Sequence, residues 1–222
     1  DHPAVRENLD RLAAFGHRIV EPDSGELACG HEGPGRLPDA EVLLEETAAA
    51  LSNRDLDGLS VLVSAGPTRE PLDPVRFISN RSSGRMGYAL AGAAHRRGAD
   101  VTLVTGPVSL APPRGCRVVR VETAAGMNEA MRAHVVTSDL VVMVAAVADY
   151  RALKTADSKI KKNKAALELR LERTEDILAG LSRARGTRVL VGFAAETDDL
   201  IDNAVAKLDA KGLDLIVAND VT

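Results

Sequence analysis

Aromatic residues are nearly missing from this chain. There is no Trp, and only two Tyr and three Phe occur among 222 residues. A core without aromatic bulk must be built from Val, Leu, Ile and Ala, which suits a parallel sheet buried on both faces. Cysteine is equally scarce. Cys29 and Cys116 lie far apart, which excludes a disulfide framework or a cysteine metal cluster and fits a reduced, cytoplasmic setting. No apolar run is long enough to cross a bilayer, and the start shows no signal-peptide pattern. Excess positive charge is lacking too. A formal charge of −4 argues against a general nucleic-acid surface. His2, His17, His31, His95 and His134 are scattered, so no Ser-His-Asp or Cys-His nucleophile system is visible. What is present is 45% hydrophobic sequence, enough for one large domain or a domain with an appendage.

Two regions differ in pattern. In residues 1–50, "DHPAVRENLDRLAAFG" reads as a helix with apolar spacing at Val5, Leu9, Leu12 and Phe15. "GELACGHEGPGRLPD" reads as a Gly/Pro-rich loop and "AEVLLEETAAALS" as a second helix. From residue 59, strand-like runs recur at 59–66, 99–106, 116–123, 139–149, 187–197 and 213–220. Helix-like runs such as "GRMGYALAGAAHRRG" and "AAGMNEAMRAHVV" fall between several of them. This alternation predicts right-handed crossovers and an α/β fold: a doubly wound, mostly parallel Rossmann-like sheet with flanking helices. The first three runs make one half and the second half starts at Asp139. Ligands in such folds sit beyond the carboxyl ends of the strands, near the switch between halves.

Three stretches fall at those ends. "SNRSSGRMG" (79–87) leads into the first crossover helix. A helix N-terminus exposes unpaired N–H groups and a partial positive charge. Ser82 or Ser83 can cap the helix, and Gly84 and Gly87 let backbone approach a bound group. A phosphate fits there. A capped helix with a tight packing glycine accounts for the same residues. The spacing is neither the dinucleotide GxGxxG nor a Walker A loop. "AAVADYR" (145–151) offers small residues, with Asp149 placed for a ribose hydroxyl or Mg²⁺ or as a simple cap. "KIKKNK" (159–164) alone reads as a solvated loop. On the ligand side, its lysines can hold a triphosphate. Lys207, Lys211, Asn219 and Asp220 fall at or near the same edge, where the two lysines also suit helix ends.

Together, "VLVSAGPTREPLDPVRFISNRSSGRMG", "VTLVTGP", "AAVADYR", "KIKK", "GFAAET" and "DLIVANDV" resemble the bacterial phosphopantothenoylcysteine synthetase family. That domain is usually the C-terminal half of a bifunctional coenzyme A biosynthesis protein. The resemblance runs from about residue 58 to the end. It implies a ligase that joins 4′-phosphopantothenate to cysteine with CTP through an acyl-cytidylate, with Mg²⁺. By motif, Asn80 would hold the acyl-cytidylate and help its conversion. Ser82, Gly84 and Gly87 would bind the substrate's phosphate. Arg76 would reach that phosphate or the carboxylate from a partner subunit of a homodimer. Ala145 and Asp149 would line the nucleotide site. Lys159, the first lysine of the KxKK motif, would act on the triphosphate, with Lys161 and Lys162 beside it. Phe193, Lys207 and Lys211 would surround the nucleotide.

Residues 1–50 resemble the last part of the partner enzyme, phosphopantothenoylcysteine decarboxylase. "GELACGHEGPGRL" is similar to its substrate clamp, and Cys29 to the cysteine that protonates its enethiol intermediate. The resemblance places FMN only in that decarboxylase domain, mostly absent here, so decarboxylase activity is not expected of this chain alone. Residues 51–222 are expected to form the ligase domain, incomplete at its C-terminus, with higher oligomers in the full bifunctional protein. Rival readings are an NAD(P)-dependent oxidoreductase and a non-catalytic nucleotide-binding module. The first needs a GxGxxG and a catalytic Tyr/Lys pair that are not evident. The second would release no pyrophosphate.

Overall fold

The computed structural model describes residues 2–161, 167–196 and 198–220. It divides into two compact units, Asp1–Arg54 and Asp55–Thr222. In the first, helix α1 (Pro3–Ala14) starts at His2, whose Nδ1 accepts the Ala4 N–H at 3.2 Å. Pro3 occupies the first turn, where its missing N–H costs nothing. Helix α2 (Ala40–Leu51) closes the unit. The stretch read as a loop holds a small antiparallel hairpin, β1 (Asp23–Glu26) with β2 (Glu32–Arg36). Its residues are polar, Gly and Pro, so the pairing rests on the backbone ladder and left no apolar alternation to read.

The second unit contains β3 (Ser60–Ala65), β4 (Arg69–Pro71), β5 (Phe77–Ser79), α3 (Arg85–Arg96), β6 (Asp100–Thr105), β7 (Arg117–Arg120) and α4 (Ala124–Val135). It continues with β8 (Leu140–Met143), β9 (Tyr150–Ala152), β10 (Leu171–Arg173), α5 (Ile177–Arg183), β11 (Val189–Glu196), α6 (Leu200–Lys211) and β12 (Leu215–Asp220). Six strands form one parallel sheet in the order β12-β11-β8-β3-β6-β7. The expected doubly wound α/β fold is therefore present, with β3 and β8 central and the chain switching direction of travel between them.

Alternation along the strands splits the core. Leu62, Val104, Val141 and Leu190 pack with Met127 and Met131 of α4 and Leu181 of α5. Val61, Val63, Val101 and Leu103 pack with Tyr88, Ala91 and Ala94 of α3. Burying each such Leu or Val contributes about 1.5–3 kcal/mol before entropy is counted. α3 can lie close because its first turn carries Gly87. A Cβ there would stand 2.5 Å from the Ala65 Cβ and 3.0 Å from the Ser64 carbonyl oxygen.

Two features depart from the strand reading. The run 139–149 is ladder-paired only to Met143. Beyond it, the Val144 and Ala145 N–H groups both donate to Ser64 Oγ at 3.1 Å, and the Ala148 N–H donates to Thr68 Oγ1 at 2.9 Å. Two buried hydroxyls thus replace the ladder and let the chain leave the sheet with its donors satisfied. The segments read as loops also carry two three-residue hairpins, β4 with β5 and β9 with β10. Among the described residues, no helix is long and apolar enough to cross a membrane.

Candidate active site

A cavity of about 480 Å³ opens where β3 hands over to α3. Its lining includes Arg69, Asn80, Arg81, Ser82, Ser83 and Arg85. Arg81 and Arg85 have no ion-pair partner among the described residues, while Arg69 stacks over the Phe77 ring at 4.7 Å. Three arginines and two serines line one small space, a set of residues suited to an anion.

The helix start differs from the expected serine cap. Gly84 is the N-cap, in the left-handed region at φ 77°, and no side chain caps α3. Ser82 and Ser83 instead accept the N–H groups of Gly84 and Arg85, at 3.3 and 3.5 Å. A Cβ on Gly84 would meet Val108 Cγ1 at 2.8 Å. Gly84 is thus held by backbone angle and by packing, and Gly87 lies buried against β3 rather than in the cavity lining.

Asn80 joins this cavity to the second stretch. Its Nδ2 donates to the Val147 carbonyl at 2.9 Å and lies 3.5 Å from that of Ala146. Ala146 is further fixed by its N–H to the Gly66 carbonyl at 2.9 Å. Ala145 is half-buried and Asp149 exposed. The Asp149 carbonyl accepts the Thr174 N–H at 2.9 Å, which ties this stretch to the end of β10.

Arg76 does not line the cavity. Its Nε donates to Asp73 Oδ2 at 3.0 Å, and its Nη2 donates to Asp73 and, at 2.7 Å, to the Ile160 carbonyl. The Arg76 guanidinium and then the Ile160 N–H hold the Asp73 carboxyl well below the usual range. Ile160 lies between Lys159 and Lys161, both exposed. Lys162 lies outside the described residues.

In the middle of β11, the Phe193 carbonyl accepts Lys207 Nζ at 3.2 Å. Lys211 pairs with Asp176 at 3.0 Å. Asp176 caps α5 by accepting the Ala179 N–H at 3.0 Å. Burial raises its pKa, but that N–H and the two lysines outweigh burial and leave it lowered.

The structure therefore makes three separate contacts among the expected residues. The Asn80 side chain meets the Ala146 and Val147 carbonyls, Arg76 meets Ile160 between Lys159 and Lys161, and Lys207 meets the Phe193 carbonyl, whereas Lys211 lies at the end of α6 and pairs with Asp176. Sequence reasoning passed over Asp73, Asp176, Ser64 and Thr68. The Asp-Pro of "DPVR" is a turn signal and "TEDIL" a helix-start signal, so the first two were findable. A buried hydroxyl in "VLVSAGPT" carries no comparable mark. Among the described residues no three His, Cys, Asp or Glu side chains converge as a metal site.

A parallel α/β domain with an arginine- and serine-lined pocket where β3 hands over to α3 is of a class whose strand-end crevices suit anionic ligands. The chain belongs to the DNA/pantothenate metabolism flavoprotein C-terminal domain family, which matches residues 56–222. It is 48% identical to the coenzyme A biosynthesis bifunctional protein CoaBC of Bacillus subtilis over 225 residues, covering 100% of this chain and 55% of that protein. It is also 48% identical to CoaBC of Escherichia coli K12 over 224 residues, 99% of this chain and 55% of that protein. The chain thus spans about half the length of these relatives. The crystal structure of a CoaBC C-terminal domain superposes with a TM-score of 0.69 at 45% identity, covering 77% of this chain and 81% of that one.

Proposed function

We propose that the second unit is a phosphopantothenate–cysteine ligase of coenzyme A biosynthesis. The observation that carries this is the pocket of Arg69, Arg81, Ser82, Ser83 and Arg85 beside Asn80, in a chain of this family. The pocket suits the 4′-phosphate. The substrate carboxylate attacks the α-phosphorus of CTP, forming 4′-phosphopantothenoyl-cytidylate and releasing pyrophosphate. The cysteine amine then attacks the acyl carbon, CMP leaves, and the amide forms. No protein nucleophile is needed; binding and charge stabilisation carry the reaction.

Lys159 and Lys161 are the cations offered to the triphosphate, with Ala145, Asp149, Phe193, Lys207 and Lys211 around the nucleoside. Mg²⁺ fits a role as a phosphate-borne ion, since the single exposed Asp149 makes no cage and Mg²⁺ commonly keeps waters and phosphate ligands. When bound, Mg²⁺ would neutralise triphosphate charge.

A homodimer fits the exposed apolar side chains of the two small hairpins, among them Val75, Phe77, Tyr150 and Leu153. Arg76 lies on one of these hairpins and outside its own chain's pocket, which supports its action on a partner's substrate. In the first unit, Cys29 lies exposed in the β1–β2 turn closed by the Gly30 N–H to the Leu27 carbonyl at 2.8 Å. That supports its reading as the tip of a decarboxylase clamp.

The deciding experiment measures pyrophosphate release from CTP with and without 4′-phosphopantothenate. Release that requires the substrate is expected. Nucleotide binding with no release would reduce the chain to a binding module.

A further inference from the structure

We propose that Asp73 is a positioning residue for nucleotide activation, gripping the lysine segment so that Lys159 is fixed relative to the Arg76 turn. This rests on the ligase reading above. The Asp73 side chain is fully buried, at 0% exposure, and its two oxygens divide their work. Oδ1 accepts the Val75 and Arg76 N–H groups, each at 2.9 Å, which shapes the turn between β4 and β5. Oδ2 does nothing for that turn's backbone. It accepts the Arg76 side chain and the Ile160 N–H, the latter at 3.0 Å and 87 residues away.

Arg76 Nη2 takes the Ile160 carbonyl in return. Both backbone polar groups of Ile160 are therefore held by one ion pair, whose carboxylate is buried and whose guanidinium is partly exposed. Two further bonds dock the same segment on the same turn, the Ala156 N–H to the Leu72 carbonyl at 2.9 Å and Thr155 Oγ1 to the Pro71 carbonyl at 3.2 Å. Five N–H donors saturate the carboxylate, whose lone pairs offer about four sites. Asp73 has no capacity left for substrate, so any effect on the reaction must pass through what it holds. Ile160 is bonded directly to Lys159 on one side and Lys161 on the other.

Asp73→Asn separates the two oxygens' roles. The amide oxygen can keep the turn bonds, while its NH₂ would face the donors of Ile160 and Arg76 and break the grip. The experiment compares wild type, Asp73→Asn, Lys159→Gln and the double variant by single-turnover pyrophosphate release, with thermal midpoints alongside. Asp73→Asn is expected to slow release by up to about 10²-fold, the cost of ångström-scale misplacement. On the Lys159→Gln background it should cost less than about threefold, because coupled residues are non-additive. A structural defect alone would cost the same factor on both backgrounds, and that result overturns the proposal.

Hydrogen exchange of peptides spanning 155–161 needs no activity. Faster exchange there in Asp73→Asn, with the central strands unchanged, supports the grip. Unchanged exchange overturns it. If wild type releases no pyrophosphate while exchange still rises selectively, the grip stands and the ligase reading falls.

Discussion

The side-chain amide of Asn80 donates to the Val147 carbonyl at 2.9 Å. One residue thereby lines the anion pocket and anchors the stretch that carries Ala145 and Asp149. In the ligase reading, these are the sites of the two molecules that must react. In that reading Asn80 would set their spacing.

Asn80→Asp should fold and turn over poorly. The carboxylate would lose the N–H donor and turn a charged oxygen towards the carbonyls of Ala146 and Val147. Asn80 is exposed, so the stability loss should stay within about 1–3 kcal/mol. Loss of one preorganised donor typically costs about 10²–10³ in kcat. Steady-state kinetics beside a melting curve decide it, and near-normal turnover would remove Asn80 from the site.

The pocket predicts discrimination by the phosphate. Pantothenate lacks the anion that Arg81, Arg85 and Ser82 would hold, so its kcat/KM should be far below that of 4′-phosphopantothenate. Arg81→Gln should narrow that gap, because it removes a charge felt by only one of the two compounds. Each charged hydrogen bond is worth about 1.5–3 kcal/mol. Equal kcat/KM for both substrates in the wild type would mean that the pocket serves another ligand.

Gly87 tests packing against binding. An added Cβ would sit 2.5 Å from the Ala65 Cβ, so Gly87→Ala must push α3 off β3. Overpacking of this kind costs about 1–3 kcal/mol. A lower unfolding midpoint is expected, without a selective rise in KM for the phosphorylated substrate. A selective KM effect at unchanged stability would restore Gly87 to the phosphate site.

Acid should expose the Asp73 grip. Its folded pKa is depressed, so its stabilisation is complete above the unfolded carboxylate value of about 4. It is lost as pH falls from there through the lower folded value. The stability gap between wild type and Asp73→Asn, read from urea midpoints, should be flat from about pH 5 to 8 and narrow below about pH 4. A gap that holds constant into acid would show that the carboxylate's charge is not what stabilises.

The central sheet was legible because its strands are buried on both faces and read as continuous Val/Leu runs, as Val61, Leu62 and Val63 do. The small hairpins were not. Arg69–Pro71 and Phe77–Ser79 are three residues long and half exposed, so neither length nor alternation marks them. The anion stretch was legible as composition, but its geometry was not. The cap falls on Gly84 rather than Ser83, and the crowding of Val108 and Gly66 that keeps a side chain out of that position comes from residues distant in sequence. Likewise, nothing near Lys159 foretells that its neighbour Ile160 is held by Asp73, because that bond spans 87 residues.

Lys159 carries the last prediction. It is exposed in a segment without apolar spacing, so Lys159→Gln should change stability by no more than about 0.5 kcal/mol. The N–H and the carbonyl of the neighbouring Ile160 are nonetheless both held, which is what a group aimed at a transition state needs. If its charge stabilises the transferring α-phosphoryl group, the two half-reactions should respond unequally. Pyrophosphate release in a single turnover should fall by about 10²-fold, the scale of one electrostatic contact at a reacting centre. Conversion of supplied acyl-cytidylate by cysteine no longer involves the departing pyrophosphate, and should fall much less. Equal losses in both steps would assign Lys159 to nucleotide binding in general. Unchanged pyrophosphate release would leave it a solvated lysine beside a well-held isoleucine.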